Sequence, residues 1–100
     1  MIRGTTPTHT FNIPFDTNLL SEVRVIYAQS DKVLFTKNND DCTMNGNSIS
    51  VTLTQHDTFK FDASKEVQIQ LRVLTAAGEV LSSGVEIVGI AKCLDDEVLV

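Results

Sequence analysis

A group-transfer site needs a nucleophile, a base and a group that orients them, and this 100-residue chain offers few candidates. The thiols are Cys42 and Cys93 and the imidazoles His9 and His56. His9 lies in the threonine-rich run THTFNI and His56 in the polar turn TQHDTF, and no local spacing sets either beside a cysteine. His9 reads as a strand-face residue and His56 as a solvated turn residue. The two cysteines are far apart and lack CxxC spacing, so neither a zinc site nor a disulfide framework is expected. They read as reduced thiols packed as small hydrophobes. The five glycines (4, 46, 78, 84 and 89) are dispersed, which removes any phosphate-cradling loop.

Two acidic clusters, Asp40–Asp41 and Asp95–Asp96–Glu97, carry the oxygen chemistry a hard cation such as calcium would need. Adjacent carboxylates on an extended chain point to opposite sides, however, and neither cluster has the spacing of a calcium loop. Both read as solvated loops. No catalytic residue, metal or cofactor is expected, and the chain reads as non-enzymatic.

Thirteen acidic against eight basic side chains give a net charge of −5, and the cations stand singly from Arg3 to Lys92. Without a basic stripe, neither nucleic acid nor an anionic membrane is an expected partner. The opening MIRGTTPTHT holds no apolar run of secretion-signal length and no stretch is long enough for a membrane span, so synthesis in a cytoplasm without export is expected. An apolar share of 42% with 21% charged residues fits one packed domain over residues 1–100.

The elements that must position these residues are strands. THTFNI sets His9, Phe11 and Ile13 on one face and stops at Pro14, which removes a donor and holds Ile13 extended. The run SEVRVIYAQ sets Val23, Val25 and Tyr27 on one side, although Leu19, Leu20, Val23, Ile26 and Tyr27 also fit a helix face capped by Asp16 or Thr17. Its β-branched and aromatic cluster VRVIY favours a strand. SDK predicts a tight hairpin turn into VLFTK, and Asn45–Gly46 predicts a type I′ turn. Beyond it Ile49, Val51 and Leu53 point inward and Ser50, Thr52 and Thr54 outward.

In TQHDTFKFD, Asp57 is set to bond nearby amides, with Phe59 and Phe61 returning to the core. Val67, Ile69, Leu71 and Val73 then alternate with polar residues in the longest strand, whose hairpin partner runs from Gly78 to about Ala91 with bends at Gly84 and Gly89. Frequent short strands without a long helix indicate an all-β fold, an antiparallel immunoglobulin-like β-sandwich of about seven strands. The Cys, Trp, Cys hallmark of antibody domains is absent.

Two apolar features exceed what scaffolding needs. In GVEIVGIAK, Val85 and Ile87 share one face and Val88 and Ile90 the other, so one face must meet the chain's own tail or a second protein. Residues 94–100 form a tail or edge strand in which Val98, Leu99 and Val100 follow the acidic triplet. Val88, Ile90, Val98, Leu99 and Val100 are accordingly the candidate protein-interaction residues.

With those residues in view, RGTTPTHTFNIPFD (Arg3–Asp16), EVRVIYAQ, ISVTLTQHDT and VQIQLRVLTAAGE together resemble a set of short proteins encoded in the tail and virion structural regions of phages and prophages of gut Firmicutes. The architecture is also similar to small β-sandwich modules at the start of phage baseplate proteins. The resemblance implies a virion or tail-assembly component that binds other subunits, itself or tail and baseplate proteins, through strand edges and the C-terminal tail. The alternative is a module binding carbohydrate or calcium near Asp40, Asp41 and His56, although a chain with no Trp and one Tyr offers little aromatic platform for a sugar.

Overall fold

Apolar residues at every second position give each strand one face that must leave water, and in the computed structural model, which describes residues 1–100, those faces meet between two antiparallel sheets. The smaller sheet has β5 (Ser48–Thr52) at its centre, flanked by β1 (Thr8–Asn12) and β4 (Cys42–Asn45). In the larger, β2 (Leu20–Gln29) and β6 (Val67–Thr75) lie between β3 (Lys32–Asn38) on one edge and β7 (Val80–Ser82) with β8 (Glu86–Val88) on the other. The protein is therefore an all-β sandwich of eight strands. A single short helix, α1 (Gln55–Phe59), turns the corner from β5 to β6.

The eighth strand arises because the expected last strand is interrupted. β7 and β8 both pair with β6, but the register slips by one residue between Ser82 and Glu86. Ser83 holds the irregularity together: its N–H donates to the Leu71 carbonyl at 2.8 Å, and its hydroxyl accepts from the Leu71 amide at 3.0 Å. The bend expected at Gly84 falls within this bulge, while the strand ends at Val88, short of Ala91.

Val23, Val25 and Tyr27 of β2, Val67, Ile69, Leu71 and Val73 of β6, and Ile49 and Val51 of β5 are buried, with Leu53 and Phe61 closing one end. Each such apolar side chain contributes about 1.5–3 kcal/mol relative to exposure. Only 16 of the 100 residues are buried, however, so the sandwich is thin and its sides stand open. The outer face of the smaller sheet is a row of hydroxyl pairs, Thr8 with Thr52 at 2.7 Å and Thr10 with Ser50 at 3.0 Å.

Residues 16–29 combine both readings of their sequence. The Asp16 carboxylate accepts from the Asn18 amide at 2.8 Å and caps one 3-10 turn, Thr17–Leu19, after which the β-branched run extends as β2. The turn after β2 uses Ser30 and Asp31, both at positive φ (51° and 62°), the backbone that suits a right-twisted hairpin. Gln68 secures it by accepting from the Asp31 amide and donating to its carboxylate, each at 2.8 Å.

At the β4–β5 hairpin, by contrast, only Gly46 has positive φ (59°), so the two-residue loop is Gly46–Asn47 with type II′ character, in place of the type I′ turn expected at Asn45–Gly46. Tertiary contact selects it: the Gly46 carbonyl accepts from the Thr17 amide at 2.7 Å and the Thr17 hydroxyl at 2.8 Å.

The two phenylalanines at the end of α1 and just beyond it also part company. Phe61 is buried, whereas Phe59 is half-buried against the chain's first residues, with the Arg3 guanidinium 5.4 Å from its ring centre. Gly4 approaches that ring at φ +79°, and a Cβ there would stand 2.6 Å from Phe59 Cζ. No helix is long and apolar enough to cross a membrane.

Candidate functional site

Edges are the unfinished part of any open sheet, because half of an edge strand's N–H and C=O groups lack ladder partners. Along one side of this sandwich two such edges, β1 of the smaller sheet and β7–β8 of the larger, flank a groove of about 520 Å³. Its floor is Phe11, Ile13, Phe15, Leu71, Val73 and Leu81, and its rim is Thr10, Asn12, Ser82 and Ser83. Glu86 is the one charged residue that lines it.

Strand pairing dictates what the rim offers. The Ile13 amide donates to Asn47 and the Leu53 amide to the Pro7 carbonyl, each at 2.9 Å, so odd-numbered residues of β1 face β5. By the alternation of an antiparallel ladder, the amides and carbonyls of Thr8, Thr10 and Asn12 then point outward along the free edge. On the opposite rim Thr75 donates to Glu79 and Ser83 to Leu71, both at 2.8 Å, which leaves the backbone groups of Val80 and Ser82 outward.

Between the sheets lies the protein's main cluster of titratable groups. His9 Nδ1 and the Tyr27 hydroxyl are 2.7 Å apart, and Tyr27 stacks on Phe35 with ring centres 4.9 Å apart. Burial pushes the His9 pKa down, assisted by the N-terminal charge and opposed by Glu86. Burial likewise raises the Tyr27 phenol well above its ordinary range, with Cys42 and Asp57 adding to the effect. The Cys42 thiol is raised by burial and by Asp41 against the pull of Lys37, which lowers its thiolate content and hence its reactivity.

On the other side of Phe35, Lys37 Nζ meets Asp57 Oδ2 at 2.8 Å, with 17% and 9% of the two side chains exposed. Asp57 also accepts from the Thr54 amide at 2.9 Å, while its own amide donates to the Thr54 hydroxyl at 3.1 Å. Burial would raise this carboxyl, but the hydrogen bonds to Lys37 and Thr54 outweigh it and hold the group below the ordinary carboxylate range. The arrangement joins β3 to the start of α1. The expected bond from Asp57 to a nearby amide is present; its partnership with Lys37, twenty positions away, carries no local sequence signal.

The expected interaction residues separate. Val88 pairs with Val67 and, like Ile90, packs half-buried against the core. The outward apolar residues of that segment are Val85 and Ile87, 52% and 53% exposed, so the open face is the opposite of the one expected. Direction decides this: Glu86 and Val88 lie across from the inward Ile69 and Val67, which turns Ile87 away from the core.

In the tail, residues 94–100 make no strand. Val98 is half-buried and Leu99 and Val100 are exposed, and the Gln55 side chain holds Leu99 by accepting from its amide and donating to its carbonyl, each at 2.8 Å. Farther back, Asp96 reaches Arg3 at 3.3 Å.

The acidic clusters are partly engaged in local structure. Asp41 accepts from the Asn38 amide at 3.0 Å and Asp95 from the Glu97 amide at 2.9 Å. No three His, Cys, Asp or Glu side chains converge. His56 is exposed on α1, and neither histidine hydrogen-bonds a cysteine. The residues that matter most to the groove, Phe15, Leu81 and Glu86, escaped sequence reasoning because they come from separate segments; the exposed apolar Leu81 beside Ser82 and Ser83 was the one signal available.

The fold and groove define a class: a two-sheet β-sandwich with one side left open between strand edges. Among known proteins, no family model, curated relative or solved structure matches the chain.

Proposed function

We propose that this protein is a non-enzymatic structural module that docks on other protein subunits through its strand edges. One observation carries the reading. The β7–β8 edge exposes Val80, Val85 and Ile87 on its outer side and Leu81 toward the groove, at 57, 52, 53 and 41%. Natural edge strands are blunted by charges, prolines, cover, bulges or shortness; this edge is short and broken at Ser83, but between Glu79 and Glu86 it has neither charge nor proline. An uncovered apolar edge of that kind suits a protein surface. The resemblance to phage tail-region proteins supplies the setting: self-association, or a place in a tail or baseplate, with the finished virion as its location.

We also infer an immunoglobulin-like strand order. β1, β5 and β4 follow the order of strands B, E and D, and β2, β6 and β7–β8 that of C, F and G, with β3 beside C as in variable-type domains. Tyr27 is buried on β2, the strand that carries a tryptophan in antibody domains. Strand A has no counterpart; Ile2 makes only an isolated parallel bridge to Ala91.

Light scattering over a concentration series, with and without purified phage tail particles, tests the docking. The expected result is added mass, on the protein itself or on the particles, that disappears in the Val85→Lys, Ile87→Lys double variant. A native chain that stays monomeric and adds nothing to the particles would sink the reading.

A further inference from the structure

We propose that the groove between β1 and β7–β8 accepts an extended strand from a different protein, which pairs with the free edge of β1 and stands where a strand A would lie. The inference rests on the protein-binding reading above and names the partner's chemistry at a particular edge. Addition of a strand to an exposed sheet edge draws affinity from main-chain hydrogen bonds and selectivity from pockets for alternate side chains. Both parts are present. Thr8, Thr10 and Asn12 turn their amides and carbonyls outward, and the floor beneath is apolar from Phe11 and Ile13 across to Val73 and Leu81. A strand rises about 3.3 Å per residue, so the five residues of β1 match an occupant of roughly five to seven residues.

Charge selects the occupant. Glu86 is the groove's only charged group and the chain as a whole carries −5, so a lysine or arginine in the incoming strand is favoured. The chain's own apolar tail, Val98–Val100, with Leu99 and Val100 exposed, follows Asp95, Asp96 and Glu97 and would bring acid to acid. That mismatch points to a partner other than a second copy.

The test is amide hydrogen exchange by NMR on the full chain, using a soluble ten-residue synthetic peptide of alternating valine and threonine with one central lysine. Saturating peptide is expected to slow exchange at Thr10 and Asn12 by about tenfold or more, while His9 and Phe11, already bonded to β5, change little. Thr10→Pro removes an outward donor at an edge position that tolerates proline, and is expected to abolish the effect while the β2 and β6 resonances stay in place. Glu86→Lys is expected to weaken the lysine peptide roughly fivefold and to strengthen a glutamate version.

Protection at Val80 and Ser82 in place of β1, or none at saturating peptide, would overturn the proposal while leaving the docking reading to the particle experiment. Protection of Thr10 that grows with the protein's own concentration, with no peptide present, would give the groove to a second copy and overturn the partner assignment.

Discussion

Replacing Asp57 by alanine tests whether the buried ion pair between β3 and α1 holds the corner of the sandwich. The substitution removes two things. The first is a helix cap, worth about 1 kcal/mol, in which the Thr54 amide loses its acceptor. The second is the partner of Lys37, whose side chain is only 17% exposed and whose ammonium would be left beside Phe35 without a counter-charge. Breaking one side of a buried pair costs about 3–5 kcal/mol, because the remaining charge keeps its desolvation penalty. Lys37 retains some access to water, so a total near 4 kcal/mol is expected, equivalent to a fall in Tm of roughly 15–30 °C for a domain of this size.

Thermal and urea unfolding of Asp57→Ala, Lys37→Met and the double variant close the cycle. The double variant is expected to recover more than half of the single loss, since it leaves no buried charge behind. A loss below about 1 kcal/mol for Asp57→Ala would mean that only the cap matters, and would refute the assignment of the pair as the clamp. The sign with pH is also determined. The folded-state pKa of Asp57 lies below 3.8, so the stability it contributes is complete above the unfolded pKa and is lost as pH falls through the folded value.

Two further outcomes follow from the same geometry. His9 is held neutral by burial, with its pKa below 6.5, so the unfolded chain binds its proton first and stability falls as pH drops from 6.5 toward the folded value; a melting series from pH 7.5 to 5 should flatten in His9→Asn, and an unchanged slope would assign the effect elsewhere. Gly4→Ala combines a left-handed backbone with a Cβ 2.6 Å from Phe59 Cζ, and should destabilise by about 2–3 kcal/mol in urea unfolding; near-neutrality would mean that the first residues do not pack on Phe59.

Much of the architecture was determined by the sequence alone, because period-two burial is a local property. Val67 to Val73 and Ile49 to Leu53 could face a core only as strands, the cluster VRVIY favoured a strand over a helix, and SDK (Ser30 to Lys32) between two apolar runs marked a hairpin. What alternation leaves undetermined is direction. The pattern around Val85 to Ile90 separated two apolar faces correctly and assigned the open one wrongly, because only the register with β6 turns Val88 inward and Ile87 out. The same limit explains the Gly46 turn, chosen by its bonds to Thr17, and the division of the last strand by Ser83.

The groove and the polar cluster belonged entirely to tertiary structure. Thr10 to Phe15 and Leu81 to Glu86 meet across some seventy positions of chain, and His9 with Tyr27, or Lys37 with Asp57, become partners only when the two sheets close. Contacts between distant segments depend on which strands become neighbours, and that choice is made by the joint burial of all the faces at once.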